Sequence, residues 1–272
     1  MKKKIQFLTC EPSADYQLPL VTSCPGLCTY CYLFTNLGQT PYLRGYANLE
    51  DILDEALKIL TARAQEITTF EGSATSDPVS IEPITGSLKE TVLFFAGSER
   101  GRFRFTTKFT DVDGLLNIDH NGHTEIRFSV NTPAIIKKYE FKTPPLSRRL
   151  EAARKVGEAH YPLGFLIAPV FYYETFTKDY RGLLQEIARA VNDRPVTLEI
   201  ITHRFTDRAK SNIEALFPRH NLPLTRENRR YQYGQFGYGK YVYDKELMPR
   251  LKEFFYEEVK KNLPQAKILY FV

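Results

Sequence analysis

No apolar run in this chain of 272 residues approaches the length of a membrane-spanning helix, about 20 residues. The charged start Met1-Lys2-Lys3-Lys4-Ile5-Gln6 is not followed by the apolar core of a secretory signal. Cysteine is scarce, with four residues. Three of the four are clustered, which does not resemble the disulfide framework of a secreted domain. A reducing, cytoplasmic location with no membrane partner is the expectation. Histidine is scarce as well: His120 and His123 flank a turn and His160, His203 and His220 are isolated, so none is read as a metal ligand. The net charge of +5 is compatible with a polyanionic partner but too small an excess to establish one.

The chain does have enough apolar residues, 43%, to bury one large core or a core with a small appendage. β-Branched and apolar runs alternate with amphipathic segments, the rhythm of a mostly parallel sheet. Strands are expected at 18–23, 66–71, 102–108, 125–131, 163–170 and 196–202. Leu49, Ile52, Leu53, Ala56, Leu57 and Leu60 repeat at helical intervals, and further helices are expected at 86–96, 146–159, 178–191 and 207–216. Six strand–helix units predict an α/β fold, a partial (β/α)6 TIM-type barrel over residues 1–220, with ligands at the carboxyl ends of its strands. Residues 221–272 are expected to add a hairpin, a helix and a terminal strand.

Cys24, Cys28 and Cys31 fall within eight residues, directly after the apolar stretch from Leu18 to Val21. A Cys-x-x-Cys pair alone serves redox sites and half of a zinc site. A redox pair has no use for Cys24, and a zinc site lacks a nearby fourth ligand, since the next histidine is His120. The three-cysteine spacing resembles the iron-sulfur loop of radical S-adenosylmethionine (SAM) enzymes, in which three thiolates leave one iron of a [4Fe-4S] cluster open to SAM. In such loops an aromatic residue in the place of Tyr30 lies beside the adenine; otherwise Tyr30 is a buried loop tyrosine.

Polar residues collect after the expected strands: Glu71 with Thr75, Ser76 and Asp77, then Lys108, then Ser129 with Asn131, then His203 and Arg204. Taken singly, the hydroxyl residues read equally well as helix caps and Lys108 as a surface charge. Glycines, aromatics and cations interleave from Arg229 to Tyr241, the pattern of a β-hairpin that sets cations on phosphates or covers the core with tyrosines.

Together these positions resemble the spore photoproduct lyases, radical SAM enzymes that repair a thymine dimer in spore DNA. The likeness runs through Pro12 to Tyr16, Cys24 to Leu33, Arg44 to Asn48, Phe70 to Asp77, Arg104 to Lys108, His120 to Gly122 and Arg127 to Asn131. It continues through Gly164 to Pro169, Thr202 to Phe205, Gly237 to Tyr243 and the terminal Tyr270 to Val272. The resemblance implies cluster ligation by Cys24, Cys28 and Cys31 and SAM contacts from Tyr30, Ser76, Lys108, Ser129 and Asn131. It further implies a radical relay through Tyr32 and a DNA-facing hairpin that helps to extrude the lesion. Contacts to DNA carrying the thymine dimer are assigned to Arg229, Arg230, Tyr233, Gln235, Tyr238 and Lys240. A low-potential electron donor and a monomeric enzyme complete the expectation. In the implied reaction a 5′-deoxyadenosyl radical takes hydrogen from C6 of 5-thyminyl-5,6-dihydrothymine, the methylene bridge breaks, and a hydrogen donor quenches the remaining thymine radical.

Two positions depart from the family pattern. Ala74, in Ser73-Ala74-Thr75-Ser76-Asp77, stands where relatives often carry a cysteine hydrogen donor, and Phe236 stands where they carry a relay tyrosine. Neither a methyl group nor a phenyl ring has a transferable hydrogen of the required kind. Cys10 is the one thiol outside the loop and is the candidate substitute, with a return path through Tyr32 or Tyr238; the plain alternative is a packed, inert cysteine. The missing donor leaves open a different modified nucleobase as substrate, or a non-catalytic nucleic-acid-binding relative.

Overall fold

The computed structural model describes residues 5–33, 42–72, 74–234 and 237–272. Gln235 and Phe236, and with them one expected DNA contact and one departure from the family pattern, lie outside the described residues. The chain divides into two compact units, the first spanning Met1–Pro25, Tyr42–Phe128 and Glu151–Gly164, the second Gly26–Pro41, Ser129–Leu150 and Phe165–Val272.

In the first unit, parallel strands run Ala14–Leu18, Thr68–Gly72, Gly101–Thr107 and Thr124–Val130, in register Tyr16 with Phe70, Phe70 with Phe103 and Phe105 with Ile126. Phenylalanines recur at alternate positions and so share one face. Phe70, Phe95 and Phe103 are buried together, Phe95 tilted against Phe70 at 5.3 Å between ring centroids and stacked on Phe103 at 5.4 Å. The helices Leu49–Ala62 and Ser87–Ala96 cover them with Ile52, Ala56 and Leu60 and with Leu88, Val92 and Phe95, the helical period showing directly in the buried set. Gly72, the last residue of its strand, lies so close to the Phe103 ring that a Cβ there would come within 2.6 Å of it.

The second unit holds the parallel pair Val196–Thr202 and Ala266–Phe271, with Leu198 opposite Ile268. The long helices Phe176–Val191 and Leu247–Asn262 meet through Phe176, Tyr180 and Phe255. A second aromatic core gathers Tyr139, Phe171 and Phe205 with Ile135, Ile213, Leu222 and Leu224.

The hydrogen-bonded strand order in the first unit is Thr9–Cys10, Ala14–Leu18, Thr68–Gly72, Gly101–Thr107 and Thr124–Val130, and in the second Leu163–Val170, Val196–Thr202 and Ala266–Phe271. Two differences from the sequence expectation follow. The first parallel strand is Ala14–Leu18 and not 18–23, where Pro19 interrupts the ladder; beyond it Val21–Thr22 pairs with Arg44–Gly45 and Ser23 forms an isolated bridge with Ser76. The terminal strand Ala266–Phe271 also pairs in parallel beside Val196–Thr202, which extends the strands of the second unit beyond the barrel strands expected. Among the described residues, no helix is long and apolar enough to cross a membrane.

Candidate active site

The cysteine loop is held mainly by backbone. Leu27–Cys28 pairs antiparallel with Glu140–Phe141, Cys28 opposite Glu140, and the Thr29 N–H donates to the Tyr139 carbonyl over 2.8 Å. The Cys31 N–H donates to the Cys28 carbonyl at 3.0 Å, closing a tight turn that brings the second and third cysteines of the motif onto one short segment. Cys28 is buried, Cys24 and Cys31 are half-buried, and none of the four cysteines is in a disulfide. Among the described residues no group of three His, Cys, Asp or Glu side chains stands ready as a metal cage. The fit to an iron-sulfur cluster rests on the donor set: three thiols, the soft ligands that iron-sulfur clusters take, on a loop already fixed by the protein.

Tyr30 is turned inward. Its ring packs on the aromatic core beside Phe171. Its phenol donates to Glu140 Oε1. Burial first, then the neighbouring Glu140 carboxylate, pushes the phenol well above its ordinary range, so it remains protonated. Tyr32, the expected relay, is 54% exposed.

After Thr68–Gly72 the chain brings Ser76 beside Ser23 in an isolated parallel bridge, next to Cys24 in sequence. Asp77 ties this turn to the next strand end: its carboxylate accepts from the Thr107 hydroxyl at 2.6 Å and from the Lys108 N–H at 2.7 Å. Ser76 and Lys108 are thus positioned by one buried carboxylate. Ser129 is buried and its carbonyl accepts from Arg149 Nη1 at 3.0 Å. Asn131 is fully buried; its oxygen accepts from the Thr132 N–H and the Tyr180 hydroxyl, and its amide nitrogen donates to the Pro169 carbonyl. What Asn131 retains for a ligand is its second N–H, a narrower role than the sequence gives it.

Cys10 ends the strand Thr9–Cys10, half-buried, opposite Ala14. The register of Ala14–Leu18 with Thr68–Gly72 sets Cys10 toward the amino-terminal ends of the parallel strands, whereas Ala74 follows their carboxyl end. Four residues of strand, roughly 13 Å, separate those two levels. A cavity of about 490 Å³ opens at the amino-terminal ends, lined by Glu11, Ser13, Asp15, Arg102, Arg104 and His123 among others. Beneath it the Glu71 carboxylate accepts from the Ser13 hydroxyl at 2.8 Å and from the buried Arg127 guanidinium.

The hairpin forms as expected, Arg229–Tyr233 with Gly239–Tyr243. Alternation along its strands sorts the side chains: Arg230, Gln232 and Lys240 share one face, Arg229, Tyr231, Tyr233, Tyr241 and Tyr243 the other. Tyr233 and Tyr238 are 73% and 54% exposed, while Tyr241 stacks on Phe205 at 5.3 Å. Arg229, one of the expected phosphate contacts, is turned inward. Its guanidinium donates to the His203 carbonyl at 2.6 Å, meets His203 Nδ1 at 3.0 Å and lies 3.8 Å from the Tyr243 ring centroid, so it anchors the hairpin from within. His203 is buried against Phe171, and burial with the Arg229 charge pushes its imidazole down to about 3.

The residues that sequence reasoning missed are Glu140 and Arg149. Both are fully buried, with Arg149 Nη2 2.6 Å from Glu140 Oε2. Tyr30 and Glu140 are 110 residues apart, and no local pattern announces such a pairing.

Comparison with known proteins follows the same lines. A family model described as spore photoproduct lyase matches residues 1–272. The spore photoproduct lyase of Clostridium acetobutylicum is 45% identical over 272 residues, covering all of this chain and 81% of the relative. That of Bacillus subtilis is 44% identical over 274 residues, covering all of this chain and 80% of the relative. A solved spore photoproduct lyase double mutant with bound AdoMet and dinucleoside spore photoproduct superposes with a TM-score of 0.96 at 43% identity, covering all of this chain and 81% of that one. A second, complexed with dinucleoside spore photoproduct, gives 0.96 at 42% identity over the same shares.

Proposed function

The chain belongs to the spore photoproduct lyase family, and from that premise we propose that it repairs 5-thyminyl-5,6-dihydrothymine in DNA to two thymines as a radical SAM lyase. Its fold is mixed α/β, matching the partial barrel of the solved family structures. The observation that carries the reading is the match of the whole chain to named lyases at 45 and 44% identity.

Cys24, Cys28 and Cys31 are the residues to hold a [4Fe-4S] cluster, with Tyr30, Ser76, Lys108, Ser129 and Asn131 about its SAM. When bound, cluster and SAM supply the 5′-deoxyadenosyl radical that abstracts hydrogen from the lesion. A low-potential electron donor, a cytoplasmic location and a monomeric state complete the proposal. Asp77 fixes the Lys108 backbone, and the Lys108 ammonium and Ser76 hydroxyl suit the carboxylate and ribose of SAM. Arg230 and Lys240 on one hairpin face suit phosphate, and the exposed Tyr233 and Tyr238 suit stacking on bases around an extruded lesion.

Quenching falls to Cys10. Its S–H gives a hydrogen atom to the thymine radical and becomes a thiyl radical; a phenol, Tyr32 or Tyr238, returns a hydrogen atom to the sulfur and is itself restored by a hydrogen atom from 5′-deoxyadenosine, which had taken one from the lesion. With Ala74 in the usual donor's place and Cys10 roughly 13 Å from that level, this transfer requires the Thr9–Cys10 strand and the lesion to come into contact in the bound complex. An anaerobic assay with SAM, reductant and the dinucleotide lesion tests both levels. Clean dithymine product from the parent and trapped or abortive adducts from Cys10→Ala are the expected outcomes. Clean repair by Cys10→Ala removes the donor role alone. SAM cleavage without repair points to another nucleobase substrate, and failure to cleave SAM to a non-catalytic relative.

A further inference from the structure

Between the cysteine loop and the strand end at Ser129 lies a buried ion pair that the reaction itself does not call for. Glu140 pairs with Cys28 through the backbone and accepts the Tyr30 phenol at Oε1. Its Oε2 faces Arg149 Nη2 at 2.6 Å as a charge contact off the line of a hydrogen bond. The Arg149 guanidinium turns its N–H groups elsewhere: to the Ser129 carbonyl at 3.0 Å, the Pro144 carbonyl at 2.8 Å and the Thr143 hydroxyl at 2.8 Å. Both side chains are wholly excluded from solvent. Charges so deeply buried are costly to desolvate, and apolar residues of like volume would commonly serve packing as well. The partners are informative: a residue of the cysteine loop on one side, a candidate SAM-contacting residue on the other.

We propose that Glu140 and Arg149 are positioning residues, a rigid strut that sets the Cys28–Cys31 segment and the Ser129 strand end at the spacing SAM requires. This rests on the family reading for the ligand, but the strut itself belongs to the apoprotein. Tyr30 is its upper end: with its phenol locked on Glu140, the ring stands at a fixed angle. Arg149 is its lower end, and the planar guanidinium is needed because a single ammonium cannot reach two carbonyls and a hydroxyl in different directions.

Two mild variants test the strut. Tyr30→Phe removes one hydroxyl, and Arg149→Lys keeps the buried charge opposite Glu140 while losing the fork. In the apoprotein, amide hydrogen exchange of residues 27–31 and 128–130 is expected to rise tenfold or more in either variant, with the rest of the chain unchanged. In the reconstituted protein, with iron content equal to the parent, the dissociation constant of SAM, read from the change in the cluster's electron paramagnetic resonance signal, is expected to rise tenfold or more. Exchange and SAM affinity within twofold of the parent in both variants overturn the proposal, as does faster exchange spread evenly over the chain, the mark of general destabilisation. Should Arg149→Lys fail to fold, Tyr30→Phe decides alone. A parent protein that binds no SAM overturns the family reading, and the exchange measurement then still decides whether the strut exists.

Discussion

Arg229 and Lys240 carry the same charge on the same hairpin, yet the structure gives them different surroundings. Arg229 is bonded to His203 and stacked on Tyr243, whereas Lys240 stands across from Gln232 on the other face. Each phosphate contact adds about 0.9 to the slope of log affinity against log salt on duplex DNA. Lys240→Gln is therefore expected to flatten that slope by about one unit, and Arg229→Lys to leave it unchanged while lowering stability by roughly 2 kcal/mol through the lost charged hydrogen bonds and stack. A salt series of binding isotherms beside urea unfolding reads both effects; equal slopes for Lys240→Gln and parent would remove Lys240 from the interface. His203 adds a pH dependence of definite sign. Its folded value near 3 lies below the ordinary 6.5, so between these values the unfolded chain binds more protons. This contribution to stability is full above pH 6.5 and is lost as pH falls toward 3, at a slope of up to about 1.4 kcal/mol per pH unit. Replacing His203 with Gln should remove that component of the slope between pH 6.5 and 4, measured by urea midpoints; parallel profiles for variant and parent would mean the buried imidazole is protonated more easily than its surroundings suggest.

At the scale of elements, the helix Pro133–Tyr139 delivers Glu140 to the cysteine loop, and its start is well defined. Thr132 accepts the Ile135 N–H at its side chain, Pro133 occupies the first turn, and the Thr132 hydroxyl also meets the Tyr173 phenol at 3.1 Å. Thr132→Ala should cost about 1 kcal/mol, a fall in melting temperature of about 2–4 °C for a chain of this size. A loss of SAM affinity at equal iron content should accompany it, because the helix end carries Glu140. A stability loss with SAM affinity intact would show that the cap and the loop are independent. This short helix is also where sequence reading stopped. The long helices were legible because apolar residues repeat on one face, as Ile52, Ala56 and Leu60 do. The first strand was misplaced because Leu18 to Val21 is the more apolar stretch, while Ala14–Leu18 mixes Asp15 and Gln17 among its apolar residues and is recognised only by its pairing with Thr68–Gly72. The cysteine loop stands out in the sequence by its spacing. Its support does not, because Tyr30, Glu140 and Arg149 meet only through the tertiary fold, and a buried Glu–Arg pair reads in sequence as two ordinary surface charges.

For the whole molecule, the question is whether the chain folds around its cofactor or independently of it. Small zinc domains are unfolded without metal because ligation supplies their folding free energy. Here the aromatic cluster of Phe70, Phe95 and Phe103 and the second core around Tyr139, Phe171 and Phe205 need no ligand. The cysteine loop is bonded to the segment from Tyr139 to Phe141 by protein groups alone. Chelation of the cluster should therefore leave the far-ultraviolet circular dichroism nearly unchanged and the thermal transition cooperative. SAM should act differently on the two forms. At a hundredfold excess over its dissociation constant a ligand that binds only the folded state stabilises it by about 2.7 kcal/mol. On the proposed reading that gain is expected in the reconstituted protein and largely absent after chelation, since the iron proposed to anchor SAM would then be gone. Equal stabilisation of both forms would mean that Tyr30, Lys108, Ser129 and their neighbours bind SAM without the metal. Loss of the helical signal on chelation would show that the cysteine loop supports the fold, reversing the direction of dependence drawn from its hydrogen bonds.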